Sequence, residues 1–94
     1  SLGLVGSEMC IRDRDKLDNT LIKVIKKRTI LVNRVLALKD KKNQIIDQRR
    51  IKLILKNIKK KSIQNKIDPK ITNRIWKNMI WSYIDYEKRN FKKR

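Results

Sequence analysis

From Asp15 to Asp68 the chain contains no glycine and no proline, and its one proline is Pro69. So long a stretch without the two strongest breakers of regular structure predicts helices with few interruptions. Apolar residues fall at Leu17, Leu21, Val24, Leu31, Val35 and Leu38, in steps of four, three and seven. These steps return to one face of a 3.6-residue helix, so the segment from about Asp15 to about Asp40 reads as one amphipathic helix. At 1.5 Å per residue it would be about 38 Å long. Polar Lys41-Lys42-Asn43-Gln44 reads as a loop. Asp47 is expected to cap a second helix carrying Ile51, Ile54, Leu55 and Ile58. Lys59-Lys60-Lys61 falls near that helix's C-terminus, where cations suit the dipole. Asp68-Pro69 pairs a capping carboxylate with proline at the first helical position. The third helix then carries Ile71, Ile75, Trp76, Met79, Ile80, Tyr83 and Ile84, out to about Arg89. The expected fold class is all-α: a three-helix chain with a long first helix. One long stripe needs more apolar cover than two shorter helices supply. A homodimer is therefore expected, with the long helices of two chains packed together.

The first fourteen residues are of a different character. They hold both glycines (Gly3, Gly6) and the only cysteine (Cys10), but no lysine and no asparagine. Residues 15–94 contain 18 Lys, 14 Ile and 8 Asn. Those residues have A- and T-rich codons, so a biased genome accounts for much of the lysine. Leu4 to Arg14, LVGSEMCIRDR, resembles the in-frame translation of a transposase-type sequencing adapter. Residues 1–14 are accordingly read as a non-native segment, and 15–94 as one small helical domain. The opening also lacks the basic start and longer apolar core of a signal peptide.

The net charge is +18. Glu8 and Asp13 cancel Arg12 and Arg14, so the excess lies in residues 15–94. Such a surface attracts anions of any kind: nucleic acid, acidic lipid or a small polyanionic metabolite. There is no histidine, which excludes Ser-His and Cys-His nucleophile pairs and His-ligated metal. A single cysteine gives no disulfide and no Cys-based metal site, so no cofactor and no metal are expected. No apolar run reaches the roughly 18 residues of a membrane span. Nothing requires an oxidising compartment, which makes the cytoplasm the default location.

The informative polar residues sit on apolar stripes. Arg28 lies seven after Leu21 and seven before Val35. Lys39 follows Arg28 by eleven residues, three turns, so both point the same way about 16 Å apart along the axis. Arg50 falls three after Asp47 and four before Ile54, beside the apolar face of the second helix. Glu87 lies eleven after Trp76, seven after Ile80 and four after Tyr83. A charge buried without a partner costs several kcal/mol. Each of these residues either snorkels to the surface, pairs within the protein, or lines a pocket for a small anion.

The same residues carry a family resemblance. Leu17-Asp18, Leu21-Ile22, Arg28, Lys39, Asp47-Gln48-Arg49-Arg50, Ile75-Trp76 and Met79-Ile80 leading to Glu87 resemble the AroQ-type chorismate mutases. The likeness runs from about Asp15 to Phe91. It implies an intertwined homodimeric helical bundle and the pericyclic rearrangement of chorismate, a dicarboxylate, to prephenate in phenylalanine and tyrosine synthesis. That reaction needs no nucleophile, metal or cofactor. Catalysis would come from holding the compact conformer and stabilising charge on the breaking ether oxygen. By the family's pattern, Arg28 would hold a carboxylate, and Lys39 a carboxylate and the ether oxygen. Asp47 and Arg50 would shape the pocket, and Glu87 would face the ether oxygen from the other side. Tyr83, one turn before Glu87, is a further expected substrate contact.

Three departures stand out. The family places an Arg near the start of the first helix, reaching into the partner's site; the matching position is Ile11. A Glu usually follows the Asp-x-x-Arg arginine; here it is Ile51. Many members carry Gln where this chain has Glu87, which predicts better turnover at mildly acidic pH. The missing Glu leaves room for an isochorismate pyruvate-lyase on the same scaffold. A basic helical module for nucleic acid is disfavoured, since Trp76 and Tyr83 fall at core spacing and a nucleic-acid binder has no need of Arg28 and Lys39 on the apolar side. Lys88 to Arg94 reads as a solvated helix end.

Overall fold

The computed structural model describes the backbone of residues 2–92 and the side chains of residues 8–92. It contains three helices: α1 (Leu2–Leu38), α2 (Gln48–Gln64) and α3 (Pro69–Asn90). No strand occurs among the described residues. The helix expected to start near Asp15 begins at Leu2, so the backbone of residues 2–14 is continuous with α1. Of the solvated end expected at the C-terminus, Lys88, Arg89, Asn90 and Lys92 are exposed, Phe91 instead packs on the core, and Lys93 and Arg94 lie outside the described residues. No helix among the described residues is long and apolar enough to cross a membrane.

The helix boundaries follow from local chemistry. The Asp47 side chain accepts from Arg50 N at 3.1 Å, capping α2, and that of Asp68 accepts from Lys70 N at 2.9 Å, capping α3. Each satisfies an amide that has no partner inside its helix, worth about 1 kcal/mol. The expected loop at 41–44 contains a single 3-10 turn, Lys42–Gln44. The end of α2 carries no glycine, yet it closes as a Schellman motif. Ile67 N donates to Ser62 O (2.8 Å), Lys66 N donates to Ile63 O (3.1 Å), and Lys66 takes the left-handed position at φ 58°. Glycine is usual there; a lysine in that region costs about 1 kcal/mol.

The chain comprises two compact units, residues 1–33 and 34–94. The first is a stretch of α1. Its stripe residues Leu17, Leu21, Val24 and Leu31 are all exposed, from 46% to 63%. The second unit holds the core. Leu36, Ile45 and Ile84 are buried, and Ile46, Ile51, Ile80 and Phe91 pack around them. Within this unit α2 packs on α3. Their contact includes a buried hydroxyl pair, Ser62 and Thr72, with oxygens 2.6 Å apart. Each hydroxyl also has a backbone acceptor in its own helix, Ile58 O for Ser62 (2.6 Å) and Pro69 O for Thr72 (3.3 Å), and either can supply the shared hydrogen. Removing either hydroxyl would cost the one bond across the helices, about 0.5–1.5 kcal/mol, because the other keeps its backbone acceptor.

Candidate active site

Two i, i+3 pairs build the site. Leu36 and Lys39 lie three residues apart at the end of α1, and Ile84 and Glu87 three apart on α3. Leu36 and Ile84 meet in the core. Their neighbours meet too: Lys39 Nζ donates to Glu87 Oε1 at 3.3 Å and Oε2 at 3.2 Å. The Lys39 side chain is 18% exposed and that of Glu87 9%. The apolar cluster and the ion pair are therefore adjacent parts of one arrangement. A carboxylate this buried needs a charged partner, and Lys39 provides it.

A hydrogen-bonded turn follows α1 at Lys39. Lys39 N donates to Leu36 O at 3.1 Å. Gln44 then reaches back, and its Oε1 accepts from Asp40 N at 2.7 Å and from Lys41 N at 2.9 Å. Read by polarity alone, Gln44 belongs to a featureless loop. Its signal is the glutamine three residues after Lys41, half of a capping box. The buried Ser62 and Thr72 carry no such signal, since hydroxyls in basic helices read as surface.

Of the three inward cations expected from the sequence, the structure puts only Lys39 against the core. Arg50 is exposed, and its part in the Asp47 contact is made by its backbone N–H. It lies in the first turn of α2, where the capping geometry directs the backbone and leaves the long side chain in solvent. Arg28 is exposed and belongs to the N-terminal unit. Its face of α1 carries Leu21 and Leu31, equally uncovered, so nothing within that unit makes the face an interior. Asp47 is exposed and serves as the α2 cap. Tyr83 is half-buried one turn before Glu87, edge-on to Tyr86 with ring centroids 6.4 Å apart. Ile51, where the family has Glu, is half-buried against the Leu36–Ile45–Ile84 core.

An ammonium and a carboxyl group aimed at each other can bracket an oxygen inserted between them, one from each side. An arriving carboxylate would exchange places with Glu87 on Lys39. An open cleft of about 490 Å³ elsewhere, lined by Leu55, Lys56, Lys59, Pro69, Lys70 and Asn73, holds none of the predicted site residues. Among the described residues no cluster of three or more His, Cys, Asp or Glu could hold a metal ion.

The arrangement is that of a helical domain with a paired cation and carboxyl group at the junction of its first and last helices. The chain belongs to the chorismate mutase type II family, whose model matches residues 11–88. The match begins at Ile11, inside the opening segment set apart by its composition, and reaches one residue past Glu87. No curated protein and no solved structure matches the chain.

Proposed function

We propose that the chain is a chorismate mutase, converting chorismate to prephenate in the cytoplasm as an intertwined homodimer. Family membership supports the reaction class, and the Lys39–Glu87 pair is the observation that carries the site. Lys39 releases Glu87 to take a substrate carboxylate and the ether oxygen. Glu87 meets that oxygen from the opposite side, and Tyr83 lies along the same face of α3 one turn earlier. Arg28 holds a second carboxylate, and Asp47 and Arg50 close the hydroxyl side of the pocket. The rate gain comes from fixing the compact conformer and stabilising charge on the ether oxygen as the bond breaks.

The dimer reading rests on what one chain leaves uncovered. Only Leu36, Ile45 and Ile84 are buried apolar side chains among the described residues, while Leu17, Leu21, Leu31, Val35 and Leu38 are each at least half exposed. A chain this small gains most of its stability from such a stripe only if a second chain covers it. In the dimer the same cover would make the Arg28 face an interior.

Ile51 favours a second reading. The family's glutamate at this position would bind the substrate hydroxyl; an isoleucine packed into the core has nothing to offer it. The alternative is an isochorismate pyruvate-lyase. Chorismate and isochorismate, offered separately with products identified, decide between them: prephenate from chorismate supports the mutase, and pyruvate with salicylate from isochorismate alone replaces it.

Glu87 gives the mutase reading a signature. A carboxylate donates a hydrogen bond to the ether oxygen only when protonated, whereas an amide donates at every pH. Glu87→Gln should therefore convert chorismate faster than the parent at neutral pH. Equal turnover by the two would remove Glu87 from contact with the ether oxygen.

A further inference from the structure

The hydrogen bonds around the end of α1 assign a role to Gln44, a residue outside every motif considered above. We propose that Gln44 is the positioning residue of the site: its side-chain carbonyl fixes the turn that holds Lys39 on Glu87. The proposal rests on the mutase reading for its catalytic consequence, and on the hydrogen bonds alone for its structural one.

Helix α1 stops at Leu38, so Lys39 is the first residue beyond it. Its backbone has lost helical support except for one bond, Lys39 N to Leu36 O. The next two amides, Asp40 N and Lys41 N, have left the helix ladder. Both are satisfied by one atom, Gln44 Oε1, at 2.7 and 2.9 Å. The Gln44 backbone closes the same turn by donating to Lys41 O at 3.0 Å, and Ile45, the next residue, is 5% exposed in the core. The carbonyl thus ties the two residues after Lys39 to a residue anchored beside Ile45. Lys39 enters this clamp from one side with Leu36 already fixed in the core on the other. A lysine otherwise has four rotatable side-chain bonds and a backbone at a helix end, where fraying is easiest. Held at both flanks, its ammonium stays at one place beside Glu87. Gln44 is itself exposed, so its side chain is dispensable for packing. Fixing the turn is the function left to it.

Three variants separate positioning from structure. Gln44→Met keeps the length and loses the acceptor; Gln44→Ala loses both; Gln44→Glu keeps an acceptor oxygen. Each is assayed for chorismate turnover, and each for reactivity of Lys39 toward an amine-acylating reagent, site by site by mass spectrometry. The exposed Lys52 and Lys77 serve as internal standards. Losing two hydrogen bonds at a site that must hold its donor in place should lower kcat/KM roughly tenfold in the Met and Ala variants. Lys39 acylation should rise severalfold relative to the standards. Gln44→Glu should restore both. In a Lys39→Ala background, Gln44→Met should cost nothing further, which a general loss of stability would not reproduce.

Unchanged Lys39 acylation in the Met and Ala variants would overturn the proposal, whether or not the chain turns over chorismate. So would equal, measurable turnover of chorismate by the parent, Gln44→Met and Gln44→Ala. Faster acylation, reversed by Glu, in a chain that leaves chorismate intact would uphold the clamp and refute the mutase reading instead.

Discussion

Lys39→Ala should lower kcat/KM for chorismate by about a thousandfold. Removing one preorganised donor from a developing oxyanion costs roughly 10²–10³ in rate, and Lys39 is expected to hold a carboxylate as well. The fold suffers separately. Glu87 is buried, and without Lys39 its charge stands uncompensated, a loss of about 3–5 kcal/mol in a small chain. A bare loss of activity would therefore mix two effects. Pairing Lys39→Met with Glu87→Gln separates them, because a neutral pair leaves no orphaned charge. The double variant should unfold at a denaturant midpoint close to that of the parent and still convert chorismate about a thousandfold more slowly. A folded double variant with near-parental turnover would remove Lys39 from the chemistry.

Leu21→Glu combined with Leu31→Glu should abolish the proposed dimer, and the expected activity with it. Both residues are more than half exposed in the single chain, and both lie on the stripe shared with Leu17, Val24 and Val35. In a two-fold assembly every substitution acts twice, so two changes place four carboxylates in the contact. Burying a leucine contributes about 1.5–3 kcal/mol, and burying an unpaired charge costs several more. The balance shifts by enough to weaken association by several orders of magnitude. Sedimentation should find the parent as a dimer and the variant as a monomer with at least a hundredfold less turnover. A monomeric parent would end the intertwined-dimer reading. An active monomeric variant would show that the site is complete within one chain.

The fold was legible wherever one residue's chemistry decides a local outcome. Asp47 and Asp68 cap the helices they were expected to cap, because a carboxylate before an apolar-periodic run has one nearby use. The stop of α2 is not marked by glycine, since Lys66 takes up the left-handed position instead. The start of α1 is hidden by composition: Gly3 and Gly6 argue against a helix, yet its backbone runs on through them from Leu2. At the site, eleven-residue spacing puts Arg28 and Lys39 on one helical face, but spacing says nothing about whether that face is covered. Lys39 reaches the core because α3 brings Ile84 and Glu87 to it. Arg28 is exposed in the N-terminal unit, and Arg50 is exposed because it opens α2. Gln44 stays hidden because its role is a backbone contact across four residues, invisible to a search for charged residues on apolar stripes.

Ile11 offers the most direct test of the central claim. It lies at the first residue of the family match, where the resemblance calls for an arginine reaching into the partner's site. The measurement is prephenate formation from chorismate by the chain as it stands and by its Ile11→Arg variant, at equal concentrations of folded dimer. The account predicts prephenate as the product in both, slowly in the parent and at least roughly tenfold faster in the variant. A folded dimer of Ile11→Arg that leaves chorismate untouched would contradict it.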